Sequence, residues 1–343
     1  MTQRKKPRLA LTMGDVNGVG PEILARALAR PEVRTVCEPI VYGCGDVLAR
    51  ACTNYPGAPT PHAVGSAGAA APANRQPVYN AGHAAPPLQP GKVVPAAGAA
   101  AVSWIQAAVQ DSIDGVVDGL VTCPISKTCI YQAGFHYTGH TELVAEMTNS
   151  PDYRMCLFAG AMRAVHITSH MALANALRAV TRPRIEKSVH IAHTALVRMG
   201  IPSPRVAVAG LNPHAGEDGA FGREEIDIIA PAVAACCEAG IACVGPIPPD
   251  TIFRHMREGR YDVVIALYHD QGHIPLKLIA MDTGVNVTLG IPIVRTSVDH
   301  GTAYDIAWQG QARAHSLVAA ITLAAQLTGM AMVHPPAQEH SEP

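Results

Sequence analysis

The stretch Asp262–Gly310, DVVIALYHDQGHIPLKLIAMDTGVNVTLGIPIVRTSVDHGTAYDIAWQG, decides how this chain is read. It opens on an apolar, β-branched run, Val263 to Tyr268, with the pattern of a buried strand. The run stops at His269-Asp270-Gln271-Gly272, so an imidazole and a carboxylate stand side by side just past a strand end. Lys277 follows, then Asn286 and Arg295 on two further strand patterns around 285–289 and 292–296, and Asp299-His300-Gly301 closes the block. Polar groups among apolar strands are costly unless they are satisfied or used. In open α/β sheets, ligands sit beyond the carboxyl ends of strands. The block therefore reads as half of an active site.

Outward from it, strand and helix patterns alternate along the chain. Strands are expected at 8–13, 38–44, 119–123, 155–159, 164–168 and 206–209, and helices at 97–113, 182–199 and 223–239. Residues 14–20 form a glycine-rich turn, and Pro21 opens a helix that Pro31 ends. Strand, glycine loop and helix invite a dinucleotide-binding reading, but the spacing is neither G-x-G-x-x-G nor a Walker A loop. A tight structural turn explains the pattern equally well. The Ala/Pro-rich stretch 51–95 is expected as irregular surface structure with short strands. Lys127, in the first turn of a helix begun at Pro124, is a cleft candidate against the plainer reading of a solvated lysine. Gly139-His140-Thr141-Glu142 opens another helix, whose backbone N–H groups suit an anion; the plainer reading is an N-cap with a surface histidine.

His170, His214 and His269 share one placement, each following an apolar strand. Strand ends converge on a cleft, and three imidazoles with an open position make a catalytic site for a divalent ion, typically zinc. With 16 histidines in the chain, any one alone is more simply structural.

The chain has 343 residues, enough for two domains, and 48% are apolar, enough for a sizeable core. Its 26 basic and 27 acidic residues give a net charge of −1, which excludes an electrostatic nucleic-acid binder. No signal-peptide core follows the basic start, and no apolar stretch is long enough to span a membrane. The nine cysteines lack C-x-x-C pairing. Reduced, mostly buried thiols in a cytoplasmic protein are expected, Cys123 included, since no His or acid adjoins it.

The block at 262–310 does not stand alone. LTMGDVNGVGPEI at 11–23, VTCPISK at 121–127, TGHTELVA at 138–145, HITSH at 166–170 and GLNPHAGEDGAFGREE at 210–225 accompany it in order over nearly the whole chain. Together they resemble the 4-hydroxythreonine-4-phosphate dehydrogenase family, NAD-dependent oxidative decarboxylases of vitamin B6 (pyridoxine) biosynthesis, and their paralogues. The family usually reads D-P-A-G where this chain has Asp15-Val16-Asn17-Gly18, and GHIPLKLIAMD looks more like the paralogues. The resemblance implies an α/β fold of two α/β/α domains with an interdomain cleft, similar to isocitrate and isopropylmalate dehydrogenases. The expected division is 1–125 plus about 300–333, about 126–299, and a frayed tail at 334–343. It implies NAD (or NADP) and a divalent metal, zinc first and magnesium or cobalt next, held by His170, His214 and His269, the third from the partner subunit of a homodimer. Substrate contacts fall on His140, Thr141, Lys277, Asn286 and Arg295. Lys277 is assigned to proton transfer, because a lysine beside a cation has a lowered pKa. Asp250 and Asp270 are candidates to support the metal ligands. The substrate is a β-hydroxy acid with a second anionic group. It is a phosphorylated amino or sugar acid, or, in paralogues, a carboxylated aromatic cis-dihydrodiol such as that of terephthalate. A phosphate acyltransferase or a non-catalytic ligand-binding protein is the reading of another class; it needs neither NAD nor three metal-binding histidines.

Overall fold

The computed structural model describes residues 6–330. Twelve strands lie in one sheet: β1 Arg8–Thr12, β2 Glu38–Tyr42, β3 Thr60–Val64, β4 Arg75–Tyr79, β5 Gly119–Thr122, β6 Arg154–Ala159, β7 Met162–His166, β8 Val206–Ala209, β9 Cys243–Ile247, β10 Val263–Ala266, β11 Val285–Leu289 and β12 Arg295–Val298. Their order is β3-β4-β2-β1-β5-β12-β11-β6-β7-β10-β8-β9. Two parallel blocks, β3-β4-β2-β1-β5-β12 and β7-β10-β8-β9, are joined through β11 and β6, which pair antiparallel with each other and with their outer neighbours. The α/β class expected from the sequence is therefore observed, with both halves sharing a single sheet. All four residues of β8 (VAVA) and of β10 (VVIA) are buried, as expected where helices cover both faces of a parallel sheet.

Two expectations need correction. The strand placed at 292–296 lies at Arg295–Val298 instead, because Gly290, at φ +83°, starts a turn that uses up residues 290–294. The short strands expected in 51–95 are β3 and β4, which extend the sheet in parallel. The helix His269–Ala280 was not anticipated, because Pro275 lies inside it. A mid-helix proline removes one hydrogen bond and normally breaks the pattern; here Gln271, Gly272, His273 and Leu276 are buried against the sheet and hold the helix. The tail expected at 334–343 lies outside the described residues. No helix among the described residues is long and apolar enough to cross a membrane.

The glycine-rich segment is a packed turn. Residues 11–20 are all buried, and a Cβ on Gly14, at φ +71°, would lie 2.3 Å from the Pro124 carbonyl oxygen. Asp15 accepts from Asn17 N (2.9 Å) and from the Tyr304 hydroxyl (2.5 Å), and Val19 N donates to the Thr302 carbonyl. The turn thus binds the segment after β12. Glu22 closes the same junction: its fully buried carboxylate accepts from Trp308 N, from Gly310 N at 2.8 Å and from the Tyr55 hydroxyl at 3.3 Å. Glu22→Ala, which leaves buried donors unpaired, is expected to destabilise the fold by about 2 kcal/mol or more in urea unfolding; an unchanged midpoint would show that the junction does not depend on it.

Candidate active site

The register of the joining strands sets up the site. Thr122 of β5 is level with Ser297 of β12, Ser297 with Asn286 of β11, and Asn286 with Leu157 of β6. Two positions along β11, and so on the same face, Thr288 stands opposite Met155. Arg295 reaches Thr288 from one side, and His166 approaches the Met155 carbonyl from the other. One face of the sheet therefore carries a guanidinium and an imidazole cluster across the join.

Arg295 is 2% exposed. Its Nη1 donates to the Thr288 hydroxyl at 3.1 Å and to the Thr141 hydroxyl at 3.4 Å, and its Nη2 to the Thr122 hydroxyl at 2.8 Å. Its Nε, like Asn286 Oδ1, is buried with no partner among the described residues. Burial lowers its pKa to about 10, with Glu142 opposing, so it stays charged at neutral pH. Buried charges are normally paired; this one rests on neutral hydroxyls and leaves capacity for an anion. His140 opens the helix His140–Met147, and its Nε2 lies 3.1 Å from the Cys123 carbonyl oxygen, to which it donates. Burial first, then Arg295, pull its pKa down to about 3, so the ring is neutral and Nδ1 is left as an acceptor. Burial pushes the Cys123 thiol well above its usual range, in keeping with an inert core cysteine. No cysteine among the described residues is in a disulfide, and Cys237 is the exposed one.

On the other side lie four imidazoles. The His170 and His269 ring centroids are 5.7 Å apart, and His269 stacks on His273 at 3.8 Å and 11°. His273 Nδ1 faces His166 Nε2 at 3.0 Å. Burial is the largest cause of depressed pKa values in this group, to about 3 for His166 and about 4 for His273, with His170 also lowered. His269 donates from Nδ1 to Asp270 at 2.6 Å, which leaves Nε2 as its free nitrogen. A carboxylate on the far ring nitrogen is the usual support of a metal-binding histidine. Two imidazoles sharing a tetrahedral ion bring their centroids to roughly 5 Å, so His170 and His269 fit as a donor pair.

His214 does not join them. Its Nδ1 pairs with Glu217 at 3.0 Å and its ring meets Phe221 edge-on. Among the described residues no group of three or more His, Cys, Asp or Glu side chains is gathered to hold a metal. This departs from the expectation that the third ligand, His269, arrives from a partner: His269 is beside His170 in its own chain, and His214 is the one apart. The reading of a shared topological position does hold in part, since β7, β10 and β8 are adjacent and parallel. His214 starts a run of left-handed backbone through Asp218, unusual for four non-glycine residues. Such strain persists only where surroundings hold it. Glu225 does so, accepting from Leu211 N, Asn212 N and Asn212 Nδ2. Burial raises its pKa, but these donors outweigh burial and hold it low. Asp250 is exposed, on the helix Pro249–Arg257 that packs on this run.

Lys277 Nζ meets Asp299 at 3.0 Å, so its immediate partner is a carboxylate. His269, His273 and Lys277, spaced by four, line one helix face. Lys127 is exposed yet close enough to act on both His140 and His170, linking the two ends of the site. Sequence reasoning missed His166 and His273; the four-residue spacing would have exposed His273 had Pro275 not hidden the helix.

A fold and site of this kind, with a buried guanidinium facing an imidazole cluster across a mixed α/β sheet, define a small-molecule enzyme. Residues 35–324 match the family model described as pyridoxal phosphate biosynthetic protein PdxA, and the chain belongs to that family. It is 43% identical over 328 residues to a 4-hydroxythreonine-4-phosphate dehydrogenase of Desulforapulum autotrophicum, covering 93% of this chain and 95% of that one. It is equally 43% identical over 322 residues to a D-threonate 4-phosphate dehydrogenase of Pectobacterium atrosepticum, covering 93% and 98%. The crystal structure of a 4-hydroxythreonine-4-phosphate dehydrogenase from Klebsiella pneumoniae superposes with a TM-score of 0.85 at 42% identity, covering 94% of this chain and 100% of that one. The chain is thus a dehydrogenase of the 4-hydroxythreonine-4-phosphate dehydrogenase type.

Arg295→Ala is expected to weaken binding of inorganic phosphate about tenfold or more, the loss of a charge-assisted hydrogen bond of roughly 1.5–3 kcal/mol. Calorimetric titration measures it, and equal affinity in variant and wild type would remove Arg295 from the anion site.

Proposed function

We propose that this chain oxidises the secondary hydroxyl of a small β-hydroxy acid bearing a distal phosphate, with NAD accepting the hydride and CO2 lost from the β-keto acid formed. The observation that carries this reading is Arg295, a buried guanidinium without a carboxylate partner, set across one sheet face from His170 and His269. Both relatives' names specify a four-carbon acid phosphorylated at the far end.

In this reading Arg295, Thr141 and Thr288 take the phosphate, since a guanidinium fork suits its oxygens. His140 Nδ1 accepts from a substrate hydroxyl, and the unpartnered Asn286 Oδ1 accepts from another donor on the substrate. Remote binding of this kind positions the reacting carbon. Lys277 moves the proton of the reacting hydroxyl, held in place by Asp299, and returns one to carbon after CO2 departs. His170 and His269, completed by the partner subunit's His214, would hold the divalent ion, zinc first and magnesium or cobalt next. When bound, that ion polarises the reacting oxygen and stabilises the enolate left by decarboxylation.

The proposal extends to a homodimer with shared sites in the cytoplasm. Its support is uncovered apolar surface around the histidines: Ile274, Leu278, Ile279 and Met281 on the His269 helix, Met171, Leu173 and Leu177 beside His170, and Phe221 and Ile226 near His214. Contiguous exposed apolar surface marks interfaces. The functional division into 1–125 plus about 300–333 and about 126–299 belongs to the same reading.

Incubation with NAD is expected to release NADH from phosphorylated hydroxythreonine or phosphorylated threonate and not from the terephthalate dihydrodiol. Chelation should abolish turnover and zinc should restore it. Turnover of the dihydrodiol alone, or full activity after chelation, would overturn the reading. Inactive His170→Ala and His214→Ala chains, mixed and re-associated, should regain about a quarter of wild-type activity, as random two-fold pairing gives; absence of recovery in confirmed hybrids would place all ligands in one chain.

A further inference from the structure

His166 and His273 touch neither the anion site nor the proposed ion directly, yet they form the base of the imidazole cluster. His166 Nδ1 lies 3.4 Å from the Met155 carbonyl oxygen, which can only accept, so Nδ1 carries the proton and Nε2 is the acceptor. His273 Nδ1–H therefore donates to His166 Nε2 at 3.0 Å, and leans on the His269 carbonyl oxygen at 3.2 Å. This chain of bonds fixes the plane of the His273 ring, 5% exposed. The His269 ring lies on that plane, centroids 3.8 Å apart and 11° from parallel.

The backbone is shaped around the same contact. A Cβ on Gly272 would fall 2.5 Å from His166 Nε2 and 3.1 Å from the Ala266 Cβ. Any larger residue there would push the His166 ring out from under the helix and break the bond to His273. Glycine in a helix interior is destabilising relative to alanine, and here it admits the imidazole.

We propose that His273, set by His166, is a positioning residue: a flat shelf that orients the His269 ring so that its free Nε2 faces the ion. Asp270 fixes the tautomer of His269, and the shelf fixes its tilt. The inference rests on the metal reading of His170 and His269 given above. A ligand ring pinned by a hydrogen bond alone still rotates about that bond; stacking removes that freedom, so less order is lost on binding. Partners that orient a metal-ligating histidine commonly contribute 10–100-fold in metal affinity.

The test is zinc affinity, measured by competition with a chromophoric chelator on the full-length protein, beside thermal unfolding of the metal-free protein. His273→Ala is expected to weaken zinc binding about tenfold or more. His273→Phe, which keeps a flat ring but no hydrogen bond, should stay nearer wild type than His273→Gln, which keeps a donor but no ring. His166→Leu should fall between wild type and His273→Ala. If His273→Ala or His273→Gln binds zinc like the wild type, the shelf is overturned, whatever the unfolding temperature does. If His273→Phe loses as much affinity as His273→Ala, stacking is not the cause and the proposal fails. If wild type itself binds no zinc, the metal reading falls and the shelf with it, an outcome distinct from failure of the variants alone.

Discussion

Arg295 is a guanidinium buried between strands without a carboxylate partner, and the site is arranged around it. Charge removed from water must be compensated or it destabilises the fold. Arg295 receives three threonine hydroxyls, from β5, from β11 and from the helix start at Thr141. Those three elements come from distant parts of the chain, so the residue also ties β5, β11 and the His140 helix together. The hydroxyls satisfy donors without neutralising charge. That is the arrangement a site needs if an anionic substrate, rather than the protein, is to supply the neutralisation.

The opposite end of the site obeys a different rule. Burial lowers the pKa of His170, and a neutral imidazole offers a lone pair to a cation instead of repelling it. One sheet face thus carries a fixed cation at one end and an imidazole cluster at the other. The antiparallel join through β11 and β6 makes this possible, because it sets the amino end of β12 level with the carboxyl end of β7. A purely parallel sheet would have put the two ends on opposite edges.

The uncovered apolar residues on the His269 helix and beside His170 belong to the same logic. The segment Leu173–Ala179 buries only Ala176 within the chain. A short helix with so little packing of its own depends on tertiary or quaternary contact. In the proposed dimer, its place next to His170 would connect assembly to chemistry.

The sequence by itself determined the α/β class and most strand positions, and it singled out Arg295, His140, His170 and His269 as candidates. Apolar runs of strand length are readable from residue type alone, and so is the cost of placing Arg295, Asn286 and His269 among them. The family, too, was legible, in six motifs spread along the chain. What sequence could not supply was the spatial partner of each group. Pro275 concealed a helix that only packing against the sheet stabilises, so His273 stayed invisible although it lies four residues from His269. His166 fell inside the strand expected at 164–168; its bond to His273 spans 107 positions. In the folded chain Lys277 stands beside Asp299, and His214 lies on its own left-handed turn. Periodicity and composition report short-range preferences, whereas these contacts depend on strand order and register, which only the folded chain decides.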